Sequence, residues 1–164
     1  MFSTKLIGAK KTALVACAFL AAMVLFSCTY SSNKVIASLG RYEKREFYTS
    51  GGFQDYTDYA KYTFRSVDAA KNQYLHQIQD DDLDVISVHL DDFESWVRVI
   101  RESYPTNELS VHYDFDRAMI DLEDYIYIES EEHTWSDGHT SLINYNMYFF
   151  DTQTQVLYYF HNNI

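Results

Sequence analysis

The sequence has little cysteine. Its two cysteines, Cys17 and Cys28, both lie near the beginning of the chain. A framework of disulfides is therefore excluded for the rest of the protein, whose fold must be held together by its apolar core. Aromatic side chains are numerous enough for this, since all 15 tyrosines and both tryptophans follow Cys28. Each buried aromatic ring removes about 150–250 Å² from water.

Positive charge is also scarce, and no lysine or arginine follows Arg117. Residues 55–164 carry six basic residues against 22 acidic ones, a net charge of −16, whereas residues 28–54 carry a net charge of +2. A segment as acidic as residues 55–164 repels the phosphate backbone of nucleic acids, so nucleic-acid binding is excluded. An acidic surface attracts cations and basic proteins or peptides. The alternative interpretation is that it only keeps the protein soluble.

Only one long apolar run is present, from Thr12 to Phe26. As a helix it is about 22 Å long, shorter than the bilayer core of about 30 Å. Three lysines and no acidic residue precede it. A basic segment followed by a short apolar one is typical of a secretory signal peptide. Residues 1–27 are therefore predicted to be a signal peptide, with an uncleaved helical anchor as the alternative.

The run ends in Leu25-Phe26-Ser27-Cys28, which resembles the lipobox of bacterial lipoproteins. In that family the cysteine is diacylated through its sulfur and becomes the new N-terminus. The resemblance implies that Cys28 is the lipidation site. It also implies a lipid-anchored location on the cell membrane or outer membrane, facing outside the cytoplasm. The family usually has a small or β-branched residue where Phe26 stands.

The mature chain is predicted to have two parts. Residues 28–54 are interpreted as a lipidated tether, because small polar residues follow Cys28 and Thr49-Ser50-Gly51-Gly52 forms a flexible break. Residues 55–164 have the length of a single domain.

Hydrophobic periodicity predicts two helices in this domain. The first begins near Asp55 and ends at the acidic run over 80–84, because acidic residues oppose the dipole at a helix C-terminus. Residues 85–90 are rich in β-branched side chains and predict a short strand. The second helix covers 91–104, and Asp91 with Glu94 forms its capping box.

From Leu109 the hydrophobic period changes to two, which is typical of strands. The predicted strands are 109–115, 124–134, 141–150 and 156–161, and Asp137-Gly138 is a hairpin signal. The predicted fold is therefore α+β: two helices packed on one face of an antiparallel sheet that ends in a three-stranded C-terminal meander.

The hairpin region carries side chains that bind divalent metals, among them His133, Asp137 and His139. A two-residue turn at Asp137-Gly138 would place the two histidines on opposite faces. A longer loop, over about 134–138, would set them across from each other. The interpretations left open are a divalent-metal site and a solvated hairpin tip, and no other cofactor is predicted.

The remaining candidates are aromatic and acid–base groups. Tyrosine faces stack on sugars or cationic groups, and a possible binding face consists of Tyr125, Tyr127, Tyr145 and Tyr148. His89 and Asp92 lie near Ser87, but nothing like G-x-S-x-G surrounds this serine.

No convincing catalytic set emerges from these residues. The sequence therefore predicts a membrane-anchored lipoprotein outside the cytoplasm, whose acidic domain binds a basic protein or peptide. The alternative is a divalent-metal-binding protein or metal-dependent enzyme that uses the 129–139 hairpin.

Overall fold

The computed structural model describes residues 31, 33–51 and 55–164, and these form one antiparallel sheet of six strands together with three α-helices. The strands are β1 (Lys44–Thr49), β2 (Tyr56–Thr63), β3 (His76–Gln77), β4 (Tyr125–Thr134), β5 (Thr140–Asp151) and β6 (Val156–Asn163). The helices are α1 (Lys34–Ser38), α2 (Asp80–Ser103) and α3 (Glu108–His112). The prediction of a mixed fold of helices and antiparallel sheet is confirmed. The predicted signal peptide and Cys28 lie outside the described residues.

The sheet has the order β1-β2-β6-β5-β4-β3. β5 pairs antiparallel with both β4 and β6, and β6 also pairs with β2, so β6 and β5 lie at the centre. Within the described part of the chain, no helix is long and apolar enough to cross a membrane.

Both faces of the sheet are covered by apolar side chains, because residues alternate between the faces along each strand. Phe149 packs in one core cluster, together with Phe93 and Val97 of α2. Its neighbour Phe150 packs in a second cluster, together with Val35 and Ile36 of α1. We call these two sides the α2 face and the α1 face.

The long helix α2 differs from the prediction in two ways. The acidic run begins this helix rather than ending one, because Asp80, Asp81 and Asp82 stabilise the positive end of its dipole. The strand predicted at 85–90 is also wrong. Ile86 and Leu90 continue the apolar stripe of Phe93, and packing of this stripe on the sheet overrides the strand preference of β-branched residues.

Two further elements were predicted wrongly. The segment from Asp55 is a strand, β2, rather than a helix; it is buried on both faces, so no clear alternation of period two marks it. The strand predicted at 109–115 is instead the short helix α3 followed by extended chain. Asn107 begins that helix, since its side-chain oxygen accepts a hydrogen bond from the backbone N–H of Leu109 at 2.9 Å.

The tether predicted over 28–54 is wrong for residues 33–51, which belong to the folded domain. The side chain of Asn33 caps α1, and Val35 and Ile36 are buried against the sheet. Strand β1 then pairs with β2 along its whole length, from Lys44 to Thr49. The apolar pair in α1 was too short to show periodicity in the sequence.

Burial of the tyrosines predicts that the fold is lost cooperatively in alkali. Burial raises the pKa of Tyr59 and Tyr145 above their ordinary value, and that of Tyr148 and Tyr158 to about 12. In the unfolded chain these phenols ionise near about pH 10. Their contribution to stability is therefore complete below that pH and is lost as the pH rises towards the folded-state values. We expect the buried tyrosines to ionise in one cooperative step together with loss of circular dichroism, whereas their gradual ionisation around pH 10 in the folded protein would contradict it.

Candidate binding groove

A groove lies between the C-terminal half of α2 and the end of the sheet that holds the β4–β5 hairpin. One cavity in it has a volume of about 520 Å³, with a mainly apolar lining. Its lining includes Asp92, Trp96, His133, Trp135, Leu142 and Ile164. A second cavity, of about 220 Å³, shares Trp96 and Ile164 with the first and extends to Thr57 and Tyr104. The two cavities therefore form one groove along α2.

Three distant parts of the chain position these side chains. Asp92 and Trp96 are four residues apart on α2, so they lie on the same side of the helix, one turn apart. Ile164 follows β6, and its backbone N–H donates to the carbonyl of Ile143 at 2.9 Å. This hydrogen bond holds the C-terminal residue beside β5, at the wall of the groove.

Trp135 stands at the tip of the hairpin, and its side chain is 52% exposed. Its indole Nε1 donates to the hydroxyl of Ser141 at 3.1 Å. The ring of His133 packs edge-on against it, with 4.5 Å between the centroids. These contacts fix a large aromatic surface at the open side of the groove.

A polar network lies beneath the groove and holds the carboxylate of Asp92. Its Oδ2 accepts hydrogen bonds from the Tyr145 hydroxyl at 3.1 Å and from Nδ2 of Asn162 at 3.0 Å. The hydroxyl of Thr57 in turn donates to Oδ1 of Asn162 at 2.9 Å. Asp92 is only partly buried, so its charge is oriented by these donors while the residue still lines the groove.

His89 takes part in this region but does not form a catalytic set with Ser87. One ring nitrogen of His89, Nδ1, lies 2.8 Å from the carbonyl oxygen of Val85, to which it donates. The other, Nε2, is buried and has no hydrogen-bond partner in the part of the chain that the structure describes. Ser87 is exposed and His89 is buried, because residues two apart on a helix face different directions.

The hairpin turn differs from both geometries considered for a metal site. His133 pairs with Ser141 and Thr134 with Thr140, while Trp135 and His139 are joined by a hydrogen bond of 2.8 Å. A three-residue loop therefore closes the hairpin, with Gly138 at a φ of +84°. His139 lies opposite Trp135 rather than His133. In the described ranges, no group of three or more His, Cys, Asp or Glu side chains could hold a metal ion.

The four tyrosines predicted as one binding face are on two faces, which corrects that prediction. Tyr145 is 1% exposed and packs on the α2 face. Tyr125, Tyr127 and Tyr148 pack on the α1 face. Tyr145 and Tyr148 are three positions apart on β5, so their side chains point to opposite faces of the sheet.

The groove-lining residues Trp96, Ile164 and Trp135 were not singled out by sequence reasoning. In the sequence, Trp96 belongs to the helix predicted over 91–104, and no motif marks Ile164. A tryptophan next to the predicted turn at Asp137-Gly138 was the one available signal, since tryptophan is highly buried on average.

The groove lies in the more acidic part of the molecule. Residues 33–71 carry seven basic and five acidic residues, whereas residues 72–164 carry three basic and 19 acidic ones. Of the three arginines, Arg117 is already paired with Asp91 and Glu94, at 2.8 Å from each. This distribution of charge, with Asp92 in the lining, favours a cationic ligand.

No family model, curated protein or solved structure matches the chain. Function is therefore inferred from the sequence, the groove and the distribution of charge.

Proposed function

We propose that the protein is a lipoprotein held on the outer side of a bacterial membrane through Cys28, and that its acidic domain binds a basic peptide segment in the groove. The observation that carries the binding part is the carboxylate of Asp92, which two hydrogen bonds orient. Two tryptophans line the same groove as this carboxylate. The export part rests on the basic and apolar residues before Cys28 and on the lipobox-like ending.

The chemistry of the groove suits a lysine or arginine side chain next to an apolar one. Tryptophan faces attract cations more strongly than other aromatic rings, and a carboxylate adds a charge-assisted hydrogen bond. The aliphatic stem of lysine or arginine packs against apolar walls while its head reaches the charge. Leu142 and Ile164 offer such walls. The acidic half of the domain then speeds the approach of a basic partner.

The finer architecture also belongs to this proposal: two helices, now α2 and α3, lie on one face of the sheet, and the last three strands form a meander. Its support is the pairing of β5 with both neighbours and the presence of α2 residues and Leu109 of α3 in the same core cluster. This arrangement leaves the groove at the edge of the helix-covered face.

Binding is tested with the full chain in detergent and a fluorescent peptide of alternating lysine and leucine. We expect the dissociation constant to rise at least about tenfold between about 0.05 and 0.5 M salt, because the Debye length shortens severalfold. Trp135→Ala and Asp92→Asn should each weaken binding about tenfold, the loss of one cation–π contact or charged hydrogen bond.

The matched control is Asp84→Asn, which removes an exposed charge from the same helix outside the groove. It should leave the affinity within about twofold, since removal of a distant, screened charge changes binding little. A peptide with acetylated lysines should bind weakly. Salt-insensitive binding, or equal effects of Asp84→Asn and Asp92→Asn, would refute the electrostatic groove.

A further inference from the structure

The groove beside α2 gathers many of the exposed apolar side chains of the domain. In the part of the chain that the structure describes, ten large apolar residues are at least 39% exposed. Four of them, Val99, Tyr104, Trp135 and Ile164, line the two cavities of the groove. Single exposed apolar residues are normal in soluble proteins, whereas several along one groove are typical of an interaction site.

The smaller cavity, of about 220 Å³, is an apolar pocket at the C-terminal end of α2. Val99 and Tyr104 line it from the helix, and Ser50 and Thr57 line it from the ends of β1 and β2. Hydrogen bonds fix the strand side: Nδ2 of Asn107 donates to the carbonyl of Ser50 at 3.0 Å, and the backbone N–H of Thr57 donates to Oγ of Ser50 at 2.8 Å. The pocket is therefore formed before any ligand arrives.

The distance along α2 limits how a peptide reaches both cavities. Asp92 lines the larger cavity, and Ile100, eight residues later on the helix, lines the smaller one. This separation is about 12 Å, at about 1.5 Å per residue. In an extended chain, residues four positions apart point to the same side and lie about 13 Å apart. A helical ligand needs about eight residues for the same distance, and so short a helix is unstable in water.

We propose that the basic partner occupies the groove as an extended segment, with a lysine or arginine at Asp92 and a large apolar residue four positions away in the smaller cavity. This inference rests on the proposed function, because it specifies the ligand of the same groove. Trp96 lines both cavities and contacts the segment between these two side chains. Burial of the apolar residue adds affinity that depends little on salt, so the groove selects among peptides of equal charge.

The test is competition by short peptides against the fluorescent lysine–leucine peptide, with the full chain in detergent. Each competitor carries one lysine and one phenylalanine, from one to eight positions apart in either order, with serine and threonine between them. We expect the highest affinity at four positions, and an affinity at least about fivefold lower at one and at eight. Serine in place of the phenylalanine should weaken the best peptide at least about tenfold. Val99→Ser and Tyr104→Ala should each weaken it at least about threefold.

Val88→Ser is the matched control, because Val88 is also an exposed valine of α2 but lines neither cavity. It should leave the affinities within about twofold. Equal effects of Val99→Ser and Val88→Ser, or an affinity that does not depend on the spacing or is highest at another spacing, overturn this inference. Tighter binding with lysine in place of phenylalanine also overturns it, since the smaller cavity would then hold a cation beside Asp55.

The proposed function is judged by a different result of the same experiments. It stands after each of these outcomes if Asp92→Asn still weakens the lysine–leucine peptide. Absence of binding of the lysine–leucine peptide itself refutes the proposed function and this inference together.

Discussion

Replacing Phe160 by alanine is expected to lower the free energy of unfolding by about 3–5 kcal/mol. Phe160 is fully buried on the central strand β6. Its ring contacts those of Phe93 on α2, Tyr59 on β2 and Phe115, at centroid distances of 5.2, 5.5 and 5.0 Å. These rings are anchored on separate elements and cannot collapse fully into the cavity. Since small domains are stable by only about 5–15 kcal/mol, the variant would lose much of its stability.

Urea unfolding followed by tryptophan fluorescence measures this loss. The matched control is Phe47→Ala on the edge strand β1, where the side chain is 39% exposed. Its cost should be clearly smaller, since the side chain is partly exposed at the edge of the sheet and its removal leaves no closed cavity. Equal losses in the two variants would show that Phe160 does not join α2 to the sheet.

Replacing Cys28 by serine is expected to abolish lipidation. Serine offers no thiol for the thioether-linked diacylglycerol, so no acyl chain is attached at this position. The protein should be expressed in a bacterial host with radiolabelled palmitate, and the label and the membrane fraction measured together. Loss of the label is the expected result.

Cys17→Ser is the control for this experiment, because Cys17 lies within the predicted signal peptide. It should keep both label and membrane attachment. Label that persists in Cys28→Ser would refute Cys28 as the site. Attachment without any label in the wild-type chain would favour the uncleaved helical anchor instead.

The strands near the C-terminus were predictable because they are rich in aromatic and β-branched residues and are bounded by turn residues. β4, β5 and β6 lie close to the predicted ranges 124–134, 141–150 and 156–161. Such residues favour strands, and the turn residues around Asp137-Gly138 reinforced the signal.

Elements that depend on distant partners were not predictable. β2 is buried on both faces between β1 and β6, so its apolar residues follow no strand period. The acidic run before Leu83 has the same composition whether it ends one helix or begins another. Only the packing of Ile86 and Leu90 in the core decides that a helix begins there. Local preference carries no information on which distant surface a segment will meet.

The groove escaped prediction for the same reason. Asp92 and Trp96 come from one helix, Trp135 from a hairpin and Ile164 from the end of the chain. No sequence spacing relates these positions. The hydrogen bonds to Asp92 likewise come from Tyr145 and Asn162, which are over 50 residues away.

The cap of α1 sets how far the proposed lipid anchor allows the domain to travel. Nδ2 of Asn33 donates to the Tyr148 hydroxyl at 2.7 Å, so the chain is tied to the α1 face five positions after Cys28. Five residues span at most about 17 Å. A domain with so short a linker stays within about one protein diameter of the bilayer. It cannot reach partners deeper in the cell envelope. The groove would receive partners that diffuse in from the outside.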